Sequence, residues 1–261
     1  MMSELSDLAF QSVRGHTICR TPLGANSIVI DLGGNRGEFT DEMLRLFGGR
    51  YYVAEANPEL NAALKQDRRF HTWDCAVAAV DGMLPFNIAK NDVGSSLLKL
   101  PEHSAFDCVL QKTVHVPART LPSLIAELPP GRIDLIKMDI EGAEVEILET
   151  LPREILRRIG QITAEFHSDA VFGFDLQLRV ERIIRRLRRK RFMALDFSRG
   201  SRTDVLFVNR RMYAISWLAS IRQEFRVCPS PWCGRAWNLM PQTAKRAISR
   251  ILDISGARSS A

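Results

Sequence analysis

Ser27–Thr40, SIVIDLGGNRGEFT, sets an acid and a cluster of glycines at the end of an apolar run. Ile28–Ile30 is apolar, Asp31 closes it, and Gly33, Gly34, Asn35 and Gly37 break the pattern before a helical spacing begins. That order reads as a buried strand, a tight turn and a helix start. Glycine there lets backbone approach a ligand, and the first turn of the helix offers free N–H groups. One unit later Arg50–Glu55, RYYVAE, reads as a second strand ending in an acid. A carboxylate at that strand tip can accept two hydrogen bonds from a ribose diol. Acids recur beyond later apolar runs, in Asp74-Cys75-Ala76, Lys137-Met138-Asp139-Ile140-Glu141 and Glu165-Phe166-His167. In open parallel sheets ligands bind outside the carboxyl ends of the strands, so these positions form one candidate list.

The glycine spacing separates the cofactors. A dinucleotide turn wants G-x-G-x-x-G, which Gly33-Gly34-Asn35-Arg36-Gly37 does not supply. A phosphate loop wants G-x-x-x-x-G-K-[ST], and no Lys-Ser or Lys-Thr follows here. The D-x-G-x-x-x-G spelling from Asp31 to Gly37 suits S-adenosylmethionine, which carries no phosphate but does carry an ammonium and a sulfonium. The glycines alone fit equally a turn that merely joins strand to helix, and Glu55 tips the reading toward a cofactor.

Two clusters have two readings each. Strand alternation places Lys137 and Asp139 on one face, with Met138 on the other. A lysine in an apolar strand needs a partner, and Asp139 or Glu165 is the expected one. The pair is either a structural stitch or a site that sets Asp139 beside the reacting group. Glu165 and His167 also share a face. Were the acceptor a hydroxyl, its proton would need a base, and a histidine titrates near working pH, so His167 is the expected general base. A strand-end histidine bonded to backbone is the alternative. Asp139, Glu165 and His167 could together hold a divalent metal, but their spacing matches no metal motif, and none is predicted. Four residues thus form the expected catalytic set: His167, Asp139, Glu165 and Lys137.

At this point the sequence resembles a family. VIDLGGNRGEFT, YYVAEANPEL, RTLPSLIAEL, IDLIKMDIEGAEVEILE and ITAEFHS together look like an FkbM-type methyltransferase, over roughly Ile28 to Val208. The most specific piece is Ile133–Glu149. The resemblance implies class I S-adenosylmethionine-dependent methyl transfer to a hydroxyl of a sugar, a glycan or a small natural product. It assigns cofactor contacts to Asp31, Gly33, Gly34, Asn35, Gly37, Glu55 and Ala56, and adenine contacts to Cys75 and Ala76, with Asp74 able to accept from the adenine amine. Where family members often have Glu-Pro this chain has Glu55-Ala56, and the acid itself is kept. The rival readings are a nicotinamide-dependent oxidoreductase and a non-catalytic protein that uses the fold to bind anionic partners. Against the first, none of Tyr51, Tyr52 and Tyr213 has a lysine four residues on.

These residues need a scaffold. Strands are expected at Ile28–Leu32, Tyr51–Glu55, Phe70–Val77, Leu84–Ala89, Cys108–Val116, Ile133–Asp139 and Ile162–Phe166. Phe192–Phe197 and Val205–Val208 should close the sheet as a hairpin. Helices are expected from Gly37 to Phe47, Pro58 to Gln66, Leu121 to Leu128, from Ala143 with a break near Pro152, and from Asp175 to Lys190. Asn91–Leu98, with Gly94, Ser95 and Ser96, reads as a loop near the site. The alternation argues an α/β, doubly wound Rossmann-like sheet, and the closing hairpin suits the seven-stranded class I methyltransferase version. Residues 1–26 read as an N-terminal cap with one helix, 27–210 as the methyltransferase domain, and 211–261 as a helical and basic extension.

With 261 residues the chain can bury a full core. Its five cysteines are scattered with no C-x-x-C pair, and MMSELSDLAF lacks the basic head and apolar core of a secretory signal. A reduced, cytoplasmic setting is the expectation. The net charge of +6 is uneven, with arginines concentrated in Arg182–Arg191, RIIRRLRRKR. Val180, Ile183, Ile184 and Leu187 recur there at helical spacing, which makes a surface helix with a solvated basic face. Peripheral contact with an anionic membrane is its sharper reading. No aromatic platform accompanies the arginines, so nucleic acid is not expected as a partner.

Overall fold

The computed structural model of the chain describes residues 8–90, 94–100, 109–167, 176–198, 200–215 and 227. It opens with two short strands, β1 (Phe10–Val13) and β2 (His16–Cys19), paired antiparallel around Arg14-Gly15. Both turn residues have positive φ, 49° and 88°, the backbone of a two-residue hairpin whose twist matches its strands. This replaces the helix expected within the first 26 residues, so far as they are described. Arg14-Gly15 is a turn signal, and β2 is wholly buried.

Apolar runs then alternate with amphipathic ones. In chain order they are β3 (Ile28–Leu32), α1 (Glu38–Phe47), β4 (Arg50–Glu55), α2 (Pro58–Leu64), β5 (His71–Asp74), β6 (Ala76–Ala78), β7 (Gly82–Ala89), β8 (Leu110–Thr120) and α3 (Leu121–Ile125). There follow β9 (Ile133–Met138), α4 (Glu144–Thr150), α5 (Arg153–Arg158), β10 (Ile159–Ala164), α6 (Gln177–Arg189), β11 (Phe192–Asp196) and β12 (Val205–Asn209). Seven strands form the central sheet in the order β11-β12-β10-β9-β3-β4-β5. Pairing is parallel from β5 through β10, and β12 runs antiparallel to both its neighbours. The order reverses between β3 and β9, where a doubly wound sheet opens its ligand crevice. The expected class I methyltransferase sheet is therefore present, closing hairpin included.

Period-two alternation sorts the core into layers. Val29, Tyr51 and Leu135 face α1 and the β1–β2 hairpin, with Phe39, Met43, Val13 and Ile18 in that layer. Ile28, Ile30, Ile136 and Ile162 face the other side, against Leu121, Leu124, Leu148, Ile183 and Leu187 of the later helices. Gln161 locks the hairpin onto β10: its amide donates to Cys19 O at 2.9 Å and accepts from Cys19 N at 2.8 Å.

One strand differs from the reading of the sequence. The run Phe70–Val77 is not one strand. It breaks at Cys75, so that β5 pairs with β4 while β6 pairs with β8 in a separate three-stranded sheet, β6-β8-β7. The physical reason is a division of burial: Trp73 packs into the main core and Ala76 and Ala78 into a second one with Phe86 and Ile88. The helix from Ala143 breaks at Pro152 as expected: it stops at Thr150 and resumes at Arg153, since the proline ring cannot continue a helix from the preceding turn. Cys108, residues 91–93 of the expected loop, Cys228, Cys233 and nearly all of the extension lie outside the described residues. Among the described residues no helix is long and apolar enough to cross a membrane.

Candidate active site

A cleft with about 660 Å³ of empty space opens at the carboxyl ends of β3, β4 and β9. It is lined by Gly33, Asn35, Glu55, Ala56, Cys75, Ala76 and Asp139 from the expected set, and by Asn57, Leu60, Val77, Phe86, Ile140 and Glu141. Gly94, Ser95 and Leu97 close one side, as the loop reading anticipated. Ser96 holds that loop down: its hydroxyl donates to Glu141 O at 2.5 Å and accepts from Leu98 N.

Glu55 is the most firmly placed carboxylate on the rim. Its Oε2 accepts from Asn35 N and its Oε1 from Asn57 N, each at 2.7 Å. Burial raises its pKa against the pull of those two N–H groups and of Lys137. Each oxygen keeps a lone pair for a further donor. Asn35 reaches this position with φ 47°, a left-handed backbone that asparagine tolerates better than most side chains.

Not every expected residue faces the cleft. Asp31 is fully buried beneath it, accepting from Thr40 Oγ1 at 2.8 Å. Gly34 packs so closely on β4 that a Cβ would lie 2.2 Å from Val53 Cγ1, and Gly37 is the N-cap of α1. Gly33 is required by its neighbour rather than by a ligand alone: with φ +81°, a Cβ would stand 1.8 Å from Asp139 O. The glycines thus let strand ends and side chains meet as much as they admit a cofactor. Asp74 pairs with Lys65 at 2.7 Å on the surface and does not line the cleft.

Lys137 ties the floor together. In the register of β3 with β9 it sits opposite Asp31. Its Nζ donates to Gly33 O at 2.7 Å and lies 3.2 Å from Asp31 Oδ1 and 3.4 Å from Asp139 Oδ2. Asp139 is thus one of its two partners, while Glu165 faces His167 instead. Burial opposes the lysine charge, but Asp31 and then Asp139 outweigh it and raise the pKa. Burial likewise opposes the Asp139 charge, and Lys137 followed by His16 holds that carboxyl well below the usual range.

His167 stands just beyond Asp139, among acids. Its Nε2 is 3.1 Å from Glu141 Oε2, 3.8 Å from Asp139 Oδ1 and 3.9 Å from Glu165 Oε1, and its Nδ1 is 3.5 Å from Glu144 Oε1. Burial disfavours the imidazolium, but Glu144, then Glu141 and Asp139, push the pKa up to about 10. In this arrangement His167 carries a proton, the opposite of the free base expected of it. Burial pushes Glu141 up to about 7 against the pull of His167, with Asp139, Glu144 and Glu165 adding to the rise, and burial raises Glu165 also. The expected catalytic residues are therefore brought together, as one charged cluster on the edge of the cleft.

Two further members were not singled out from the sequence, and Glu141 stood in the candidate list without a role. Glu141 has φ 55° in a non-glycine residue, a strained backbone of the kind that collects at functional sites. Glu144 is buried behind His167, where it accepts from Ile140 N at 2.7 Å and Gly142 N at 3.0 Å. His16 comes from the distant β2, with Nε2 3.4 Å from Asp139 Oδ2. No spacing in the sequence connects His16 to β9.

Comparison with known proteins places these features in a family. A family model described as "Methyltransferase FkbM domain" matches residues 25–192. Methyltransferase 1 of Beauveria bassiana (strain ARSEF 2860) is 25% identical over 164 residues, which are 55% of this chain and 66% of that protein. Among solved structures, a methyltransferase FkbM from Methylobacillus flagellatus KT is similar over 79% of this chain and 48% of that one, at 17% identity and a TM-score of 0.47. Magnesium protoporphyrin IX methyltransferase from Synechocystis PCC 6803, with bound SAM, is similar over 70% of each chain at 10% identity and a TM-score of 0.39. The chain thus spans just under two thirds of the curated relative and about half of the Methylobacillus protein.

Proposed function

Because this chain belongs to the methyltransferase FkbM domain family, we propose that it transfers a methyl group from S-adenosylmethionine to a hydroxyl oxygen of a sugar, glycan or small natural product. The cofactor, when bound, supplies an electrophilic methyl on a sulfonium. The observation that carries the reading is Glu55, fixed at the strand tip by two backbone N–H groups with lone pairs still open to the cleft. Glu55 would accept from the ribose hydroxyls, as an acid at this position of a doubly wound sheet does. Cys75, Ala76, Val77 and Phe86 offer the apolar wall that a purine needs. Gly33 and Asn35 present backbone on the opposite side, and Asp139 and Glu141 bring negative charge toward the sulfonium and ammonium end.

The acceptor oxygen forms one bond to carbon as the carbon–sulfur bond breaks, and it must shed its proton. The cluster of Asp139, Glu141, Glu165 and His167 borders the cleft and holds the hydroxyl, and its carboxylates, Glu141 first, receive that proton. Holding the two reactants in one geometry supplies much of the rate. Acceptor class follows from the family alone.

Calorimetry with S-adenosylmethionine, S-adenosylhomocysteine and NAD tests the reading. Binding of the two sulfur compounds and not NAD, lost in Glu55→Ala while the variant stays folded, supports it. Folded protein that binds neither sulfur compound overturns it. With binding in hand, sugar and natural-product acceptors are screened using methyl-labelled cofactor, with and without divalent metal.

A further inference from the structure

Asp139 lies at the centre of a wider group than methyl transfer alone requires. Its Oδ2 faces Lys137 Nζ and His16 Nε2, both at 3.4 Å, while its Oδ1 turns to His167. Around His167 Nε2 stand Glu141 at 3.1 Å and Glu165 at 3.9 Å. One ligand atom each from Asp139, Glu141 and His167 lies within 4.8 Å of the other two, and the same holds for His16, Asp139 and Glu165. Atoms about 2.1 Å from a shared ion stand about 3–4 Å apart, so small side-chain rotations would close either set.

The charges do not balance within the protein. Lys137 is shared between Asp31 and Asp139, and Glu144 is satisfied by two backbone N–H groups. The His167 ring alone faces Glu141, Glu165 and the far oxygen of Asp139. Side chains with this much negative charge, at most about a third exposed, want a cation. His16 adds an independent observation. It is 3% exposed, presses its Nε2 on Asp139, and has no hydrogen-bond partner at Nδ1 among the described residues. A buried polar atom left unsatisfied is costly and marks a place where something is missing.

We propose that this cluster is a divalent-cation site, with Asp139, Glu141 and His167 as ligands and Glu165 beside them, the ion displacing the proton from His167 Nε2. The first set is favoured over the one through His16 because Asp139 Oδ1 points away from Lys137, whose ammonium would repel the ion. Glu144 then stands behind His167 Nδ1, as outer carboxylates stand behind metal-bound imidazoles. Three carboxylates with one imidazole suit an ion of the manganese or magnesium kind better than one that seeks thiolate. Asp139 and Glu141 also line the cleft, so the ion would sit where an acceptor hydroxyl reaches it. That last role rests on the methyltransferase reading; the binding of the ion does not.

The test uses the full chain and Mn²⁺ as the probe. Free Mn²⁺ is followed by its electron paramagnetic resonance signal, and heat of binding by calorimetry, each with and without S-adenosylhomocysteine. That compound has the ammonium but no sulfonium, which separates charge supplied by cofactor from charge supplied by metal. One bound Mn²⁺ per chain is expected, weakened tenfold or more in Glu165→Gln and in His167→Gln, with affinity for S-adenosylhomocysteine changed less than twofold. Protein that binds S-adenosylhomocysteine but leaves the Mn²⁺ signal free up to about 1 mM overturns the proposal. So does Mn²⁺ binding that both variants leave unchanged. Mn²⁺ binding without any sulfur cofactor supports the ion site and sinks the cofactor reading.

Discussion

Lys137 holds the floor of the cleft at the scale of single residues. Removing it leaves Asp31 and Asp139 as uncompensated charges, one fully buried and the other mostly so. Lys137→Met is therefore expected to lower stability by about 3–5 kcal/mol in urea denaturation, with Asp31→Asn in the same chain recovering part of the loss. A loss under about 1 kcal/mol would show that the pair is not buried as described. Cys75 gives a second residue-scale outcome. It lines the cleft, and burial pushes its thiol up to about 12, against a small pull from Arg119. At pH 8 it stays a thiol, so iodoacetamide followed by mass spectrometry should label it far more slowly than a free cysteine peptide. Fast labelling would mean an exposed thiolate.

Between elements, the telling contacts are made by polar side chains that cross from one to another. Gln161 of β10 satisfies both backbone groups of Cys19 in β2, so Gln161→Leu strands a buried N–H and a buried C=O. The expected cost is about 2–4 kcal/mol, read from the denaturation midpoint, with the hairpin the first segment to lose hydrogen-exchange protection. Helix α6 is held to α4 by Arg179 on Glu149, at 2.7 Å, and by Arg186 on the carbonyls of Leu148 and Leu151. The bond from Arg179 holds the Glu149 carboxyl below its ordinary value, against a smaller effect of burial. A lowered folded pKa contributes stability above the unfolded value, near 4.3, that disappears as pH falls through the folded one. Both side chains are partly exposed, so the contribution is about 0.5–1 kcal/mol. Arg179→Ala should lose that much at pH 7 and be indistinguishable from the parent chain at pH 2–3; equal loss at both would assign the effect to packing. Arg182, Arg185 and Arg189 remain on the outer face, as the basic run implied.

For the whole molecule, binding and stability are linked. A ligand present at a hundredfold its Kd stabilises the folded state by about 2.7 kcal/mol. For a chain of this size that raises Tm by roughly 5–10 °C, so saturating S-adenosylhomocysteine should produce such a shift in a thermal scan. Glu55→Ala should abolish the shift, and it should also lower the unliganded Tm, since it strands Asn35 N and Asn57 N.

Local patterns in the chain were enough to determine the central sheet, its order of strand and helix, and Glu55. Apolar runs that end in acids, glycine at a strand-to-helix turn and proline after a helix all act within a few residues. The cleft-lining positions Gly33, Asn35 and Glu55 were legible for the same reason, while Ala56, Cys75 and Ala76 were assigned through the family resemblance. Only the tertiary structure decided which charges meet. Register between β3 and β9 sets Asp31 rather than Glu165 against Lys137, and folding back of the N-terminal hairpin brings His16 to Asp139. The break at Cys75 was equally hidden, because an apolar run does not say which of two cores will bury it. Contacts between distant strands depend on register and layer packing, and no spacing along the chain encodes either.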